Sequence, residues 1–154
     1  MTVVPFMNDV IVEIARTWIG TPYRHQQAVR EHGCDCLGLL RGVWAEYYNK
    51  PLPEAPPYVR DWAEQRATMK RELMIEAAQQ YLDPATSLER GDVVLYRIVK
   101  TALVKHCAIV SEVHGGRPSR VIHAYSGNAV REDDVHPSWL KKEQYYFRFP
   151  ERNE

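Results

Sequence analysis

Along the first third of the chain, apolar residues recur at helical spacing. Val10, Ile11, Ile14, Ala15, Trp18 and Ile19 fall on one helix face, with Asn8 or Asp9 available as a cap and Gly20 at the exit. Thr21-Pro22-Tyr23 stops that helix, and a polar loop through Gly33 leads to a second helical pattern at Leu37, Leu40, Val43, Trp44 and Tyr47. Asp35 stands where the second helix needs its N-cap. Four prolines between Pro51 and Pro57 then interrupt regular structure. Residues 59–81 alternate charged and apolar groups, with Trp62, Met69, Leu73 and Ala77 along one face, which predicts a third, surface-packed helix.

From Gly91 onward the period changes. Short runs rich in Val, Ile and Tyr, near residues 92–98, 104–112, 119–125, 128–132 and 144–149, predict an antiparallel sheet. Gly91-Asp92 marks the turn into its first strand. Helices first and strands second predict an α+β fold, a helical layer on one face of the sheet. The length, 154 residues, is enough for one real core, so residues 1–154 are expected to form one domain.

Charge narrows the partners. The 20 basic and 20 acidic residues cancel, so no overall field draws the chain to nucleic acid or to an anionic membrane. No stretch approaches the roughly 20 consecutive apolar residues of a membrane-spanning helix. The opening MTVVPFMNDVIVEIA lacks a basic start and carries Asp9 and Glu13 where a signal peptide is apolar, so synthesis in the cytoplasm without an export signal is expected.

Three cysteines cannot all pair, and Cys34-Asp35-Cys36 suits neither a disulfide scaffold nor the usual zinc spacing. With Asp35 as cap, Cys36 lies in the first turn of the second helix, where unpaired N–H groups and the helix dipole favour an anion. A thiolate there is a nucleophile, and the same N–H groups can hold an oxyanion. The commoner fate of a cysteine is that of a small buried hydrophobe. Gly38 and Gly42 strip one flank of the helix, as expected of a nucleophile helix lying close on its sheet.

A base and an orienting group must come from elsewhere in the sequence. The apolar runs 102–113 and 119–125 flank His114-Gly115-Gly116-Arg117-Pro118, which reads as a hairpin turn. For any even-length turn, paired residue numbers sum to an odd value, so His106 and His123 share a face, opposite or diagonal. His106 can then take the thiol proton while His123 holds its tautomer. Separately, each reads as an ordinary half-buried strand histidine. His25, His32, His114 and His136 read as solvated surface. Tyr23 can lend its hydroxyl to an oxyanion or substrate, though a loop-packing aromatic is the simpler reading.

Gly20-Thr21-Pro22-Tyr23, Cys34-Asp35-Cys36-Leu37-Gly38-Leu39, Gly91-Asp92-Val93-Val94-Leu95-Tyr96, His106-Cys107-Ala108-Ile109-Val110 and Val121-Ile122-His123-Ala124, in this order, resemble the NlpC/p60 cell-wall peptidases. The resemblance implies a papain-like core, Cys36 as nucleophile, His106 as base, His123 as third polar residue and Tyr23 on the oxyanion side, with no metal or organic cofactor. It implies peptidoglycan stem peptides as substrate, commonly cut between D-glutamate and the next diamino acid. Leu37 departs from the serine usual after the nucleophile, and no wall-binding repeats are seen. The Cys-Asp-Cys-Leu-Gly-Leu form, length and missing signal look like the subgroup from tailed phages and gene transfer agents. Tail hub or baseplate proteins are therefore expected partners, and a phage-like tail the expected location.

Two other classes compete. One is a structural tail protein with a degenerate peptidase fold, which would be expected to lose at least one of Cys36, His106 and His123. The other is a metal-binding module using Cys34, Cys36 and one or more of His32, His106 and Cys107.

Overall fold

The computed structural model describes residues 6–52, 72–125 and 127–152. Three helices, α1 (Met7–Arg16), α2 (Cys36–Tyr48) and α3 (Leu73–Tyr81), precede the main sheet, and a short α4 (Pro137–Leu140) lies within its second half. A two-stranded ribbon, β1 (Ala28–Val29) with β2 (Gly33–Cys34), sits in the loop before α2. The main sheet comprises β3 (Asp83–Pro84), β4 (Val93–Tyr96), β5 (His106–His114), β6 (Arg117–His123), β7 (Arg131–Asp134) and β8 (Gln144–Arg148). Its order is β3-β8-β4-β5-β6-β7, and each pairing is antiparallel. This is the expected α+β architecture. The ribbon, β3 and α4 are additions that no hydrophobic period announces. No helix among the described residues is long and apolar enough to cross a membrane.

The first helix is shorter than its apolar pattern, which runs on to Ile19. After Arg16 the N–H groups of Thr17, Trp18 and Ile19 reach back three residues, to Ile14, Ala15 and Arg16, so the pattern continues through a tightened turn. Ile11, Val12 and Ala15 of α1, Leu39, Val43 and Trp44 of α2, and Met74 and Ala78 of α3 share one core with Val93, Leu95, Ile109, Ile122 and Phe147 of the sheet. The buried face of α3 is thus Met74 and Ala78, one residue beyond the expected Leu73 and Ala77. The rest of the expected third helix, with Trp62 and Met69, lies outside the described residues. Arg16 clamps α1 to β7 through a two-pronged contact with Glu132, at 3.0 and 3.1 Å.

The opposite face of the sheet is also apolar. Val94, Tyr96, Ala108, Val110 and Val121 lie there, beneath Leu88, Trp139 of α4 and Val135. Successive β5 residues therefore go to different surroundings: Cys107 and Ile109 to the helices, Ala108 and Val110 away from them.

The β5–β6 hairpin turns on Gly115 and Gly116, with φ of 59° and 75°, the left-handed pair a tight two-residue hairpin requires. Paired numbers sum to one odd value at Ile109↔Ile122, Val110↔Val121, Val113↔Pro118 and His114↔Arg117. Between these pairs Glu112 faces Arg120, leaving Ser111 extra on β5 and Ser119 extra on β6. The two irregularities cancel, so the parity set by the turn survives to the far end of the hairpin.

Candidate active site

Asp35 caps α2 as expected. Its Oδ1 accepts from Gly38 N–H at 2.7 Å, and its Oδ2 accepts from Gln26 N–H at 2.8 Å. One buried carboxylate thereby fixes the helix start and the loop before it. The flank stripped by glycine serves a different purpose from the one expected. A Cβ on Gly38 would stand 1.8 Å from the Gln27 carbonyl oxygen, and one on Gly42 would stand 2.2 Å from the Trp18 ring. These glycines admit the loop and the end of the first helical segment, not the sheet. Tyr23 bridges to Cys34, two residues before Cys36, and is half-buried.

Cys36 begins α2 and is half-buried, whereas Cys34 and Cys107 are buried; all three thiols are free. The Cys36 Sγ lies 3.5 Å from the Lys105 carbonyl oxygen, so the nucleophile candidate meets β5 at its start, beside His106. From the helix side, the Cys107 thiol donates to the Cys36 carbonyl at 3.2 Å. The Cys36 thiol is held well below its ordinary pKa, first by a hydrogen bond from Cys107, then by a hydrogen bond and positive charge from His106; burial and Asp35 oppose this. Cys34, two residues earlier, is pushed up to about 12 by burial and by the neighbouring negative groups. The hydrogen bond to Cys36, and after it burial, raise Cys107, which keeps its proton and so remains a donor.

His106 and His123 are 5% and 8% exposed, and His106 Nε2 lies 3.0 Å from His123 Nδ1. The contact is diagonal, because the hairpin register places His123 opposite Ala108. With Nε2 engaged, His106 has only Nδ1 for the thiol. His123 Nε2 lies 3.1 Å from Asp133 Oδ2, and Arg131 Nη2 lies 3.1 Å from Asp133 Oδ1. Burial first, and then the charge of His106, lower His123 to about 4, against the opposing pull of Asp133. Tyr125 and Trp139 stand edge-on to His106, at ring distances of 5.2 and 5.3 Å. An acceptor nitrogen beside an acidified thiol, with its far side hydrogen-bonded, is the arrangement a cysteine peptidase uses.

The NlpC/P60 family model matches residues 20–148. The chain belongs to the NlpC/P60 family. Three solved structures share the NlpC/P60 fold. An NLP/P60-family protein similar to a lipoprotein, from Staphylococcus aureus subsp. aureus Mu50, superposes with a TM-score of 0.61 and 18% identity, over 99% of this chain and 44% of that one. NlpC2 from Trichomonas vaginalis gives 0.58 and 16%, over 97% and 49%. An NlpC/P60 family protein from Bacillus cereus ATCC 10987 gives 0.58 and 15%, over 95% and 40%. The chain thus spans less than half the length of each. No curated protein matches it in sequence.

The structure brings Cys36, His106 and His123 together and leaves Tyr23 on the adjoining segment. His32, His114 and His136 are exposed, His136 capping α4 through Ser138 N–H. His25 differs from expectation, half-buried with Nδ1 4.0 Å from Asp35 Oδ2. Among the described residues no group of three or more His, Cys, Asp or Glu side chains is placed to hold a metal, which gives the metal-binding alternative no geometry. Asp133 and the Cys107 contact were missed from sequence. The signal for Asp133 is the β6–β7 register, which pairs Val121 with Asp133 and His123 with Arg131 on one face.

Proposed function

We propose that this chain is a cysteine peptidase that hydrolyses amide bonds in peptidoglycan stem peptides, between D-glutamate and the diamino acid that follows. The observation that carries the reading is the Cys36 thiol at a helix start, meeting β5 at Lys105 beside a histidine whose far nitrogen lies on His123. His106 Nδ1 takes the thiol proton, and Sγ attacks the carbonyl carbon to give a tetrahedral oxyanion. The imidazolium returns the proton to the leaving amine as the C–N bond breaks. Water, deprotonated by the same nitrogen, then cleaves the acyl-thioester and restores the thiol.

The oxyanion donors follow from the cap. Asp35 Oδ1 occupies Gly38 N–H, and Leu39 N–H opens the helical ladder on the Asp35 carbonyl, so the N–H groups of Cys36 and Leu37 are the ones for the oxyanion. Tyr23 lends its hydroxyl on that side. Residues 1–154 act as one catalytic domain, with no metal or organic cofactor.

The Cys-Asp-Cys-Leu-Gly-Leu form supports a place in a phage-like tail or gene transfer agent. There the chain, made in the cytoplasm and held by hub or baseplate proteins, opens the wall for DNA delivery. Co-purification with such proteins tests the location, and a chain always recovered alone refutes it. The activity is tested by digesting purified peptidoglycan with wild type and Cys36→Ala side by side, with fragments identified by mass spectrometry. New stem-peptide termini are expected with the wild type alone. Folded wild type that releases nothing from several wall types would overturn the reading.

A further inference from the structure

Three side chains from three successive strands stand in line on the sheet face away from α1 and α2: His106 of β5, His123 of β6 and Asp133 of β7. Hydrogen-bond direction along this line is constrained at one end. To take the Cys36 proton, His106 Nδ1 must be bare, so the neutral ring carries its proton on Nε2 and donates to His123 Nδ1. His123 must then carry its own proton on Nε2, facing Asp133 Oδ2 at 3.1 Å. A carboxylate at that point can only accept. After proton transfer the demand is sharper. The His106 imidazolium still points an N–H at His123 Nδ1, and a His123 protonated there would set N–H against N–H.

We propose that Asp133 is the positioning residue that fixes the tautomers of both histidines, a role that rests on the reading of Cys36 and His106 as nucleophile and base. Arg131 completes the device. Its guanidinium can only donate, and it occupies Oδ1, which keeps Oδ2 turned to His123.

Arg131 also makes the role testable with a change of one atom. In Asp133→Asn the amide has one accepting and one donating end. Arg131 holds the accepting oxygen, so the NH2 faces His123 Nε2 and forces it to become the acceptor. The His123 proton moves to Nδ1, against His106. Removing the side chain is milder, because in Asp133→Ala water can accept from Nε2. Removing Arg131 from the Asn variant frees the amide to turn and accept again.

The experiment uses the full chain with 15N-labelled histidine: wild type, Asp133→Asn, Asp133→Ala and the double variant Asp133→Asn/Arg131→Ala. Long-range 1H–15N correlation reports which His123 nitrogen carries the proton. The rate of Cys36 alkylation by iodoacetamide across pH reports the thiolate. The expected result is an Nε2-protonated His123 in wild type and an Nδ1-protonated one in Asp133→Asn. Alkylation of Asp133→Asn at neutral pH is expected to slow by about tenfold or more, short of the roughly 10⁴-fold seen when a wrong tautomer arises on the base itself. Its pH profile moves to higher pH, and kcat on peptidoglycan falls while KM holds. Asp133→Ala loses less, and the double variant recovers. Asp133→Asn with the wild-type tautomer and alkylation profile overturns the proposal. A wild-type Cys36 that reacts no faster than free cysteine overturns the peptidase reading instead, and the His123 tautomer still decides the role of Asp133.

Discussion

The turn into α2 and the strand face carrying His106 reach opposite solutions to placing a reactive group. At the helix start the work is done by neighbours in the chain: Asp35 caps, the first turn offers its N–H groups, and Gly38 lets the loop close at Gln27. Two residues decide everything there, since Cys34 is raised to about 12 while Cys36 is lowered. On the strand face no partner is local. His123 lies 17 residues from His106 and 10 from Asp133, and only strand register brings the three into line. A helix start therefore makes the proposed nucleophile from a short motif, whereas the proposed base is a property of the whole sheet.

The largest effect that tests this division comes from the base. His106→Ala is expected to bring peptidoglycan turnover nearly as low as loss of Cys36, with the fold retained by circular dichroism. His123→Asn is expected to keep more activity than His123→Ala, because an amide oxygen can accept from His106 Nε2–H while its NH2 donates to Asp133. Equal inactivity of the two variants would show that His123 does more than orient.

Acid stability is the next effect in size. His123 sits at about 4 in the fold, against about 6.5 for a free histidine, so between these values the unfolded chain binds more protons. Stability from this group is complete above about pH 6.5 and is lost as pH falls toward 4, by up to about 3 kcal/mol. Urea midpoints measured from pH 7 to 4 should fall less steeply for His123→Asn than for wild type; parallel slopes would refute the assignment.

The smallest effect probes the helix side. Cys107 donates toward Cys36 from the face of β5 away from the histidines, so Cys107→Val should move Cys36 alkylation to higher pH and slow it about tenfold at neutral pH. Cys107→Ser keeps a donor and should lose less. An unchanged profile in Cys107→Val would leave His106 and the helix start as the whole cause of the acidity.

What could be read from sequence follows the same division. The Asp35 cap and the position of Cys36 were legible because capping is a rule of neighbouring residues. The sharing of a face by His106 and His123 was legible on the condition of an even turn, which Gly115 and Gly116 supply in the structure. Asp133 was not, because the stretch of sequence between His123 and Arg131 is too long for its length to state a register. The purpose of Gly38 and Gly42 was also hidden, since Gln27 and Trp18 come from segments whose path no periodicity records. The α3 face was read one residue early because its N-terminus has no side-chain cap to mark the start.

The paired irregularities at Ser111 and Ser119 carry a consequence for how this hairpin can change length over evolution. Between Val110 and Val121 the two strands can gain or shed residues in matched steps, because a loss on one side answered on the other leaves the histidine register intact. A single unanswered change from Glu112 to Arg120 can still be absorbed by opening the Gly115-Gly116 turn. The same change between His106 and Val110, or between Val121 and His123, turns one imidazole into the helix-side core. Relatives that keep both histidines should therefore carry their gaps toward the hairpin tip and none beside the rings.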